Sequence, residues 1–285
     1  MCYSEVKIGR LKMSDYRLIC LDLDGTLLNS KKEIDEESLR VLRQLQERGV
    51  SVSIATGRAA FDAKHHADLI GEDTFYMASN GAVIGNNDEL ILDTSMTLSQ
   101  KLNLFQAFEK LKIKPVFVTH KHIYISNWFH YIFHKLFYKR GQDDNCLKYV
   151  PEMEDLKMII SRDVCKVHKV ICFPKWKTVS KKLKKLMDSS EDFELAVTNY
   201  NVFEITASGI TKGTGTKVLA DHLGIDMDRV IAFGDSENDR DMLKKVGLGV
   251  AMENAPEAIK KISDKVTLSN NHQGISELLK DEFNL

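Results

Sequence analysis

LICLDLDGTL, residues 18–27, is an apolar run that ends in two carboxylates one residue apart, followed at once by a glycine. An apolar run of this length with a turn signal behind it is typical of a buried strand in a parallel sheet. Because side chains alternate along a strand, Asp22 and Asp24 are predicted to point the same way, while Leu23 points into the core. Ligands bind at the carboxyl ends of such strands, so the paired carboxylates suggest a divalent cation, or a nucleophile beside a general acid or base.

The pattern of strands and helices divides the chain into two blocks and an insertion. At both ends of the chain, short apolar strands alternate with amphipathic helices, which predicts an α/β fold with a doubly wound parallel sheet. Residues 84–206 instead read as strand pairs bounded by helices, which predicts a separate α+β domain. We therefore expect a core domain of residues 13–83 and 207–285 with the α+β domain inserted between them. Residues 1–12 precede the first strand and are assigned no function.

Three further motifs place polar residues at the ends of predicted strands or at the start of a helix. They are TGR at residues 56–58, ITKG at residues 210–213 and GDSEND at residues 234–239. In the order DxDGT, TGR, lysine and GDxxND, the motifs resemble the haloacid dehalogenase-like (HAD) phosphohydrolases. The Cof-type subfamily (IIB), with a C2B cap between the second and third motifs, is most similar. Only about 24 residues separate Thr26 from Ser51, too few for a cap domain between the first two motifs.

The resemblance implies a reaction mechanism for the first and last motifs. Asp22 would be the nucleophile that forms an aspartyl-phosphate, and Asp24 would be the general acid for the leaving alcohol and then the base for water. Asp22, the backbone carbonyl of Asp24, and Asp235 would hold Mg²⁺, a hard cation that prefers oxygen ligands. Without the ion, the acidic cluster would repel a phosphate dianion, so metal dependence follows from the charges.

The resemblance also implies which residues hold the phosphate. The Thr56 hydroxyl and the Gly57 amide would donate to its oxygens, and Lys212 would bridge the phosphate and the nucleophile, also as a catalytic residue. Asn238 would bind phosphate, and Asp239 would orient its neighbours as a supporting residue.

Arg58 and Asn80 are candidate substrate contacts, although Arg58 could equally form a surface ion pair. Gly25 and Gly234 are expected where the backbone turns closely around the site. In the inserted domain, we expect loop residues that include Trp128 and His122 to select the substrate.

Composition limits the partners and the compartment. The chain has 285 residues, enough for two domains, and its formal net charge of −1 gives no indication of a nucleic-acid partner. No apolar run approaches the length of a membrane span, and no signal peptide is visible. The five cysteines form no CxxC pair, which favours a reduced cytoplasm. We expect a cytoplasmic monomer or small homo-oligomer that binds a small phosphorylated metabolite.

The predicted function is that of a Mg²⁺-dependent phosphatase for monoesters of small metabolites, such as sugar phosphates or FMN. Two alternatives stay open. A phosphomannomutase-like phosphotransferase would form the same aspartyl-phosphate and return the phosphate to the sugar. A non-catalytic sensor would bind a phosphorylated metabolite without turnover, although every catalytic position of the motifs is filled. Phosphate release, as opposed to isomerisation of a hexose 1-phosphate, separates the two enzymes.

Overall fold

The computed structural model describes residues 15–137, 146–198 and 202–285, so the predicted extension, residues 1–12, lies outside the described residues. The strands are β1 Leu18–Leu21, β2 Ser51–Ala55, β3 Phe75–Ala78, β4 Val83–Gly85, β5 Leu90–Asp93, β6 Val116–Thr119, β7 Ile123–Ile125, β8 Leu147–Tyr149, β9 Val167–Cys172, β10 Phe193–Thr198, β11 Val202–Ala207, β12 Val230–Gly234, β13 Leu248–Met252 and β14 Lys265–Thr267. The helices are α1 Glu36–Glu47, α2 Ala60–Ile70, α3 Leu98–Leu111, α4 Trp128–Phe137, α5 Met153–Ile160, α6 Lys177–Asp188, α7 Lys212–His222, α8 Arg240–Lys245, α9 Glu257–Lys260 and α10 Gly274–Phe283.

The larger sheet has eight strands in the order β14-β13-β12-β1-β2-β3-β4-β5. The pairings from β14 to β3 are parallel, and β4 and β5 extend the sheet in antiparallel pairing. Ile19 and Leu21 of β1 pack in a cluster with side chains of α1 and α2, whereas Leu18 and Cys20 pack with side chains of α7 and α8. Helices thus cover both faces of the sheet, which confirms the predicted doubly wound α/β fold.

The second sheet has six strands in the order β10-β11-β9-β6-β7-β8, with one parallel pairing, between β7 and β8. Phe117 of β6 packs on one face with residues of α3, α5 and α6. Its neighbours Val116 and Val118 point to the other face, where they contact Ala59 and Phe61 of the core. This sheet and the helices α3 to α6 are called the cap below. One face of the cap sheet is therefore covered by its own helices, and the other lies against the core.

The division between the two sheets differs from the expected boundary at residue 84. Strand β4 pairs with β3 of the core sheet and β5 pairs with β4, so residues 84–93 belong to that sheet and not to the inserted one. An antiparallel edge strand has the same apolar pattern whichever sheet it joins. Only the strand with which it pairs shows to which sheet it belongs. The cap begins after Asp93, and its first helix starts at Leu98 behind a capping box formed by Thr97 and Gln100.

The cap also contains two elements that the sequence pattern does not predict, the short strand β8 and the helix α5. Both are short, and short elements give too few residues for a clear period. Among the described helices, none combines the length and the apolar character that crossing a bilayer requires.

A pair of leucines in α6 tests the packing of the cap. Leu183 is fully buried, whereas Leu186, one turn along the same helix, is 42% exposed. We expect Leu183→Ala to lower the free energy of unfolding by about 2–5 kcal/mol because it leaves a cavity in the cap core. Leu186→Ala, the control, should cost less than about 1 kcal/mol. Urea unfolding followed by circular dichroism measures both, and equal effects would contradict the described packing.

Candidate active site

The site lies where three neighbouring strands of the core sheet end. β1 runs between β2 and β12 in parallel register, and Asp22, Thr56 and Asp235 directly follow these three strands. The Asp22 amide donates to the Phe233 carbonyl at 3.0 Å, which continues the ladder and fixes the first carboxylate beside the end of β12. The parallel topology therefore brings together side chains that are far apart in the sequence.

Lys212 is a fully buried charge at the centre of the site. It is the first residue of α7, and its Nζ donates to Asp22 Oδ1 and to Asp239 Oδ1, both at 2.6 Å. Lys212 and the Asp239 side chain are fully buried, and the Asp22 side chain nearly so. Burial alone would lower the pKa of Lys212, but the two carboxylates outweigh it and raise that pKa above its ordinary value. The ammonium thus stays charged at the place expected for it beside Asp22.

Asp239 supports the site from behind. Its Oδ1 accepts from Lys212, and its Oδ2 accepts from the backbone amides of Asp235 and Ser236 at 3.0 and 2.9 Å. Both oxygens are therefore occupied, and the side chain ties the lysine to the turn that carries Asp235. This is the geometry that the expected orienting role requires.

Three carboxylates surround a space that could hold a metal ion. One oxygen from each of Asp22, Asp235 and Asp239 lies within 4.8 Å of the others. Burial raises the pKa of Asp22 well above its ordinary value, although Lys212 opposes the rise. Burial and the charge of Asp239 raise the pKa of Asp235 to about 6. Three carboxylates face a single ammonium, and a divalent cation balances this excess with the oxygen ligands that such ions prefer. Since both oxygens of Asp239 are occupied, Asp22 and Asp235 are the side chains placed to bind the ion directly.

Two contacts that the sequence does not indicate fix the Asp235 carboxylate. Thr26 Oγ1 donates to its Oδ1 at 3.3 Å, and Asn254 Nδ2 lies 3.4 Å from its Oδ2. The Asn254 amide also donates to the Gly25 carbonyl at 2.8 Å, which joins the turn after β13 to the turn after β1. Asn254 follows a strand of the same sheet, and that position is the only sequence signal for it.

Gly25 is required by both its backbone and its surroundings. It has a φ of +88°, and an added Cβ would lie 2.4 Å from Asp235 Oδ2. At Gly234 the limit is space alone, because a Cβ there would lie 2.5 Å from Asp239 Cβ. The close approach expected at both glycines is present.

Asp24 lies at the edge of the site, with a side chain that is 41% exposed, whereas that of Asp22 is 7% exposed. Its carboxylate accepts from Arg58 Nε and Nη2 at 2.7 and 2.8 Å, and from Lys32 Nζ at 2.7 Å. Burial would raise the pKa of Asp24, but Arg58 and Lys32 together hold it well below its usual range. Arg58 therefore contacts the expected general acid, and Lys32 is a neighbour that the motifs do not reveal.

The loop that carries Thr56 and Gly57 after β2, expected to bind phosphate and called the phosphate-binding loop below, is joined to the cap by a chain of hydrogen bonds. Asn238 Nδ2 donates to Asn80 Oδ1 at 3.1 Å, and Asn80 Nδ2 donates to Glu204 Oε2 of the cap at 2.8 Å. Lys169 donates to Glu204 Oε1 at 2.9 Å and also to the Gly57 carbonyl. Asn80 has a φ of +59°, a left-handed conformation that asparagine tolerates better than most residues.

Lys169 and Glu204 are site residues that sequence reasoning missed. They lie on the neighbouring strands β9 and β11 of the cap sheet, and both are largely buried. The available signal was a charged side chain within each of two apolar strands, VHKVIC and VFEITA. A buried charge needs a partner, but only the sheet pairing identifies it.

A cavity of about 250 Å³ lies between the core and the cap. Its floor carries Asp22, Thr56 and Asp235, and its cap side carries aliphatic residues together with Lys169 and Glu204. Trp128 and His122, expected to select the substrate, do not line this cavity, and Trp128 is 53% exposed. Among the residues described, the inner face of the cap sheet therefore forms the roof.

Two glycines with similar backbones test the constraint at Gly25. Gly49 has a φ of +80°, but an added Cβ there would meet nothing within 4 Å. We expect Gly25→Ala and Gly49→Ala each to cost about 1–2 kcal/mol of stability from the left-handed backbone. Only Gly25→Ala should also weaken Mg²⁺ binding, because its methyl group displaces the Asp235 carboxylate. Calorimetric Mg²⁺ titration of both variants measures this, and unchanged binding by Gly25→Ala would contradict the geometry.

The comparisons with known proteins agree with this geometry. The family described as haloacid dehalogenase-like hydrolase matches residues 19–279. Phosphatase YwpJ of Bacillus subtilis is 30% identical over 281 residues, which covers 93% of this chain and 99% of the relative. The 5-amino-6-(5-phospho-D-ribitylamino)uracil phosphatase YitU of the same organism is 29% identical, covering 94% and 98%. A solved haloacid dehalogenase-like hydrolase from B. subtilis superposes with a TM-score of 0.82 at 30% identity, covering 93% and 99% of the two chains. The chain belongs to the haloacid dehalogenase-like hydrolases.

Proposed function

We propose that this protein is a Mg²⁺-dependent phosphatase that hydrolyses phosphate monoesters of small metabolites through an aspartyl-phosphate on Asp22. The observation that carries the proposal is the buried Asp22 carboxylate, held at 2.6 Å by Lys212 beside Asp235 on the floor of the cavity between core and cap. A carboxylate suits the role of nucleophile because it is ionised at neutral pH once its surroundings supply positive charge. The named phosphatases among the relatives support the same reaction.

The residues on the floor of the cavity are proposed to have different roles in phosphate transfer. An Asp22 oxygen attacks phosphorus, and the bond from phosphorus to the leaving oxygen breaks. Mg²⁺, held by Asp22 and Asp235, would neutralise charge on the phosphoryl oxygens and favour the ionised form of Asp22. Lys212 holds the attacking carboxylate in line and adds a fixed positive charge. Thr56 and Gly57, at the end of β2, are proposed to donate to the phosphoryl oxygens, together with Asn238.

Asp24 is proposed to be the general acid and base, and its contacts suggest at which step it can exchange a proton. A carboxylate held by Arg58 and Lys32 is ionised and cannot donate a proton. Arg58 also contacts Asp62 at 3.1 Å, and an arriving phosphate dianion would compete with both carboxylates for it and weaken its hold on Asp24. Asp24 can then take up a proton from solvent, give it to the leaving alcohol, and later take one from the water that attacks the aspartyl-phosphate. The products are the alcohol and inorganic phosphate, and Asp22 is restored.

The same cavity bears on the phosphomannomutase alternative. A mutase must hold a second phosphate with cationic cap residues, yet Lys169 is the one cation that the cap contributes to the cavity lining, among the residues described. Lys169 is already paired with Glu204. This speaks for hydrolysis over transfer back to a sugar.

We further propose a cytoplasmic setting, supported by the free thiols of Cys20, Cys165 and Cys172. The substrate class, small phosphorylated metabolites, is taken from the relatives and from a cavity with room for one compact leaving group.

Replacement of the nucleophile tests the reaction. We expect Asp22→Asn to lower kcat for phosphate monoesters by about a thousandfold or more, because an amide cannot form the phosphoenzyme. Asp188→Asn, on an exposed face of the cap, should retain wild-type kcat. Excess chelator should abolish wild-type phosphate release, and added Mg²⁺ should restore it. Full activity of Asp22→Asn in a phosphate-release assay would refute the mechanism.

Lys169 tests the contact between cap and core. Lys169→Met removes the charged partner of Glu204 and the hydrogen bond to the Gly57 carbonyl. Both losses weaken the contact between cap and core. We expect kcat/KM to fall by about tenfold or more, mainly through a higher KM. Lys182→Met, on the exposed face of α6, is the matched control. Steady-state kinetics on both variants measure these constants. An unchanged KM in Lys169→Met would contradict the proposed role of Lys169 in holding the cap against the core.

A further inference from the structure

The roof of the cavity is an aliphatic surface. Of the six cap residues that line it, four are Val116, Val118, Ile123 and Ile171, all on the inner face of the cap sheet. Three of these four belong to one buried apolar cluster, against which Ile171 and Phe61, at the start of α2, also pack. The leaving group of a substrate whose phosphate lies on the charged floor must face this surface.

The two polar residues of the roof are engaged with the core. Lys169 donates to the Gly57 carbonyl and to Glu204 Oε1, while Glu204 Oε2 accepts from Asn80. An ammonium has three N–H donors, so these contacts use two of the three that Lys169 has. One donor of Lys169 and one oxygen of Glu204 therefore join the cap to the core, and another bond joins the two side chains to each other, so that only part of their hydrogen-bonding capacity is left for a ligand.

A polyhydroxy leaving group fits such a roof poorly. Each sugar hydroxyl that leaves water without a hydrogen-bond partner costs free energy, whereas an apolar ring gains from contact with the aliphatic side chains. Sites that select polar ligands place several convergent polar groups around them. Here those groups are concentrated on the floor, around Asp22, Thr56 and Asp235, where they serve the phosphate.

We propose that the preferred substrate is the phosphate monoester of a compact, largely apolar alcohol, one aromatic or alicyclic ring on a CH₂–O–P linkage, and not a sugar phosphate. The aliphatic roof, its engaged polar pair and a cavity of about 250 Å³ carry this assignment. It rests on the proposed phosphatase function and refines it.

A matched set of monoesters tests the assignment. Cyclohexylmethyl phosphate and glucose 6-phosphate both carry a six-membered ring on a CH₂–O–P linkage, and they differ mainly in the hydroxyls and the ring oxygen. Benzyl phosphate adds a flat ring without the activated leaving group of a phenol ester. We expect kcat/KM for cyclohexylmethyl or benzyl phosphate to exceed that for glucose 6-phosphate by at least about tenfold. Acetyl phosphate, an activated acyl phosphate whose leaving group is only acetate, reports phosphate transfer with almost no contact to the roof.

Two valines of the cap supply a variant and its control. Val118→Thr puts a hydroxyl into the roof at a position that is 2% exposed, whereas Val164→Thr makes the same change at a position that is 79% exposed. Val118→Thr should reduce the ratio of kcat/KM for cyclohexylmethyl phosphate over glucose 6-phosphate by about fivefold or more. Val164→Thr should keep the wild-type ratio. Thermal unfolding of both variants shows whether the fold is retained, and the wild-type ratio stands as a test even if Val118→Thr does not fold.

The outcomes separate this inference from the proposed function. Hydrolysis of acetyl phosphate together with equal or better use of glucose 6-phosphate would overturn the apolar assignment and leave the phosphatase intact. No hydrolysis of any of these compounds with Mg²⁺ would refute the proposed function, and the inference with it. A wild-type preference that Val118→Thr, when folded, does not reduce would place the selectivity elsewhere than the aliphatic roof and overturn the structural argument.

Discussion

The structure of the site depends on one buried ammonium between two buried carboxylates. Lys212 contacts Asp22 and Asp239 at 2.6 Å each, in a place from which water is excluded. A charge in such a place is tolerated only when its partners are fixed, and each partner here is tied to a different strand end. The lysine therefore joins α7 to β1 and to the turn after β12, and it leaves an excess of negative charge that calls for a divalent cation.

A second layer of contacts extends from this centre to the cap. The hydrogen bonds run from Asn238 through Asn80 to Glu204 and Lys169, and they end on the Gly57 carbonyl of the phosphate-binding loop. The cap is thus held to the same loop that is proposed to bind phosphate. Cap position and phosphate binding are coupled by geometry, because a shift of either disturbs the same backbone.

Charge and apolar surface are separated within the cavity. The floor holds the carboxylates of Asp22 and Asp235, and the roof is mainly aliphatic. At the edge of the cavity, Asp24 is paired with Arg58 and Lys32. This arrangement separates catalysis from substrate selection. The floor is proposed to bind the phosphate, which all monoesters share, and the roof is proposed to contact the leaving group, which differs among them.

The sequence by itself determined the α/β fold, the family, and the residues at the strand ends, because each rests on a local pattern. An apolar run before DxDGT, or a glycine that must turn beside Asp235, can be read from neighbouring residues alone. The tertiary structure decided what depends on contacts between distant segments. It assigned residues 84–93 to the core sheet, paired Asp24 with Arg58 and Lys32, and brought Lys169 and Glu204 over the phosphate-binding loop. No local pattern encodes these contacts, because strand pairing and cap placement are set by which surfaces exclude water together.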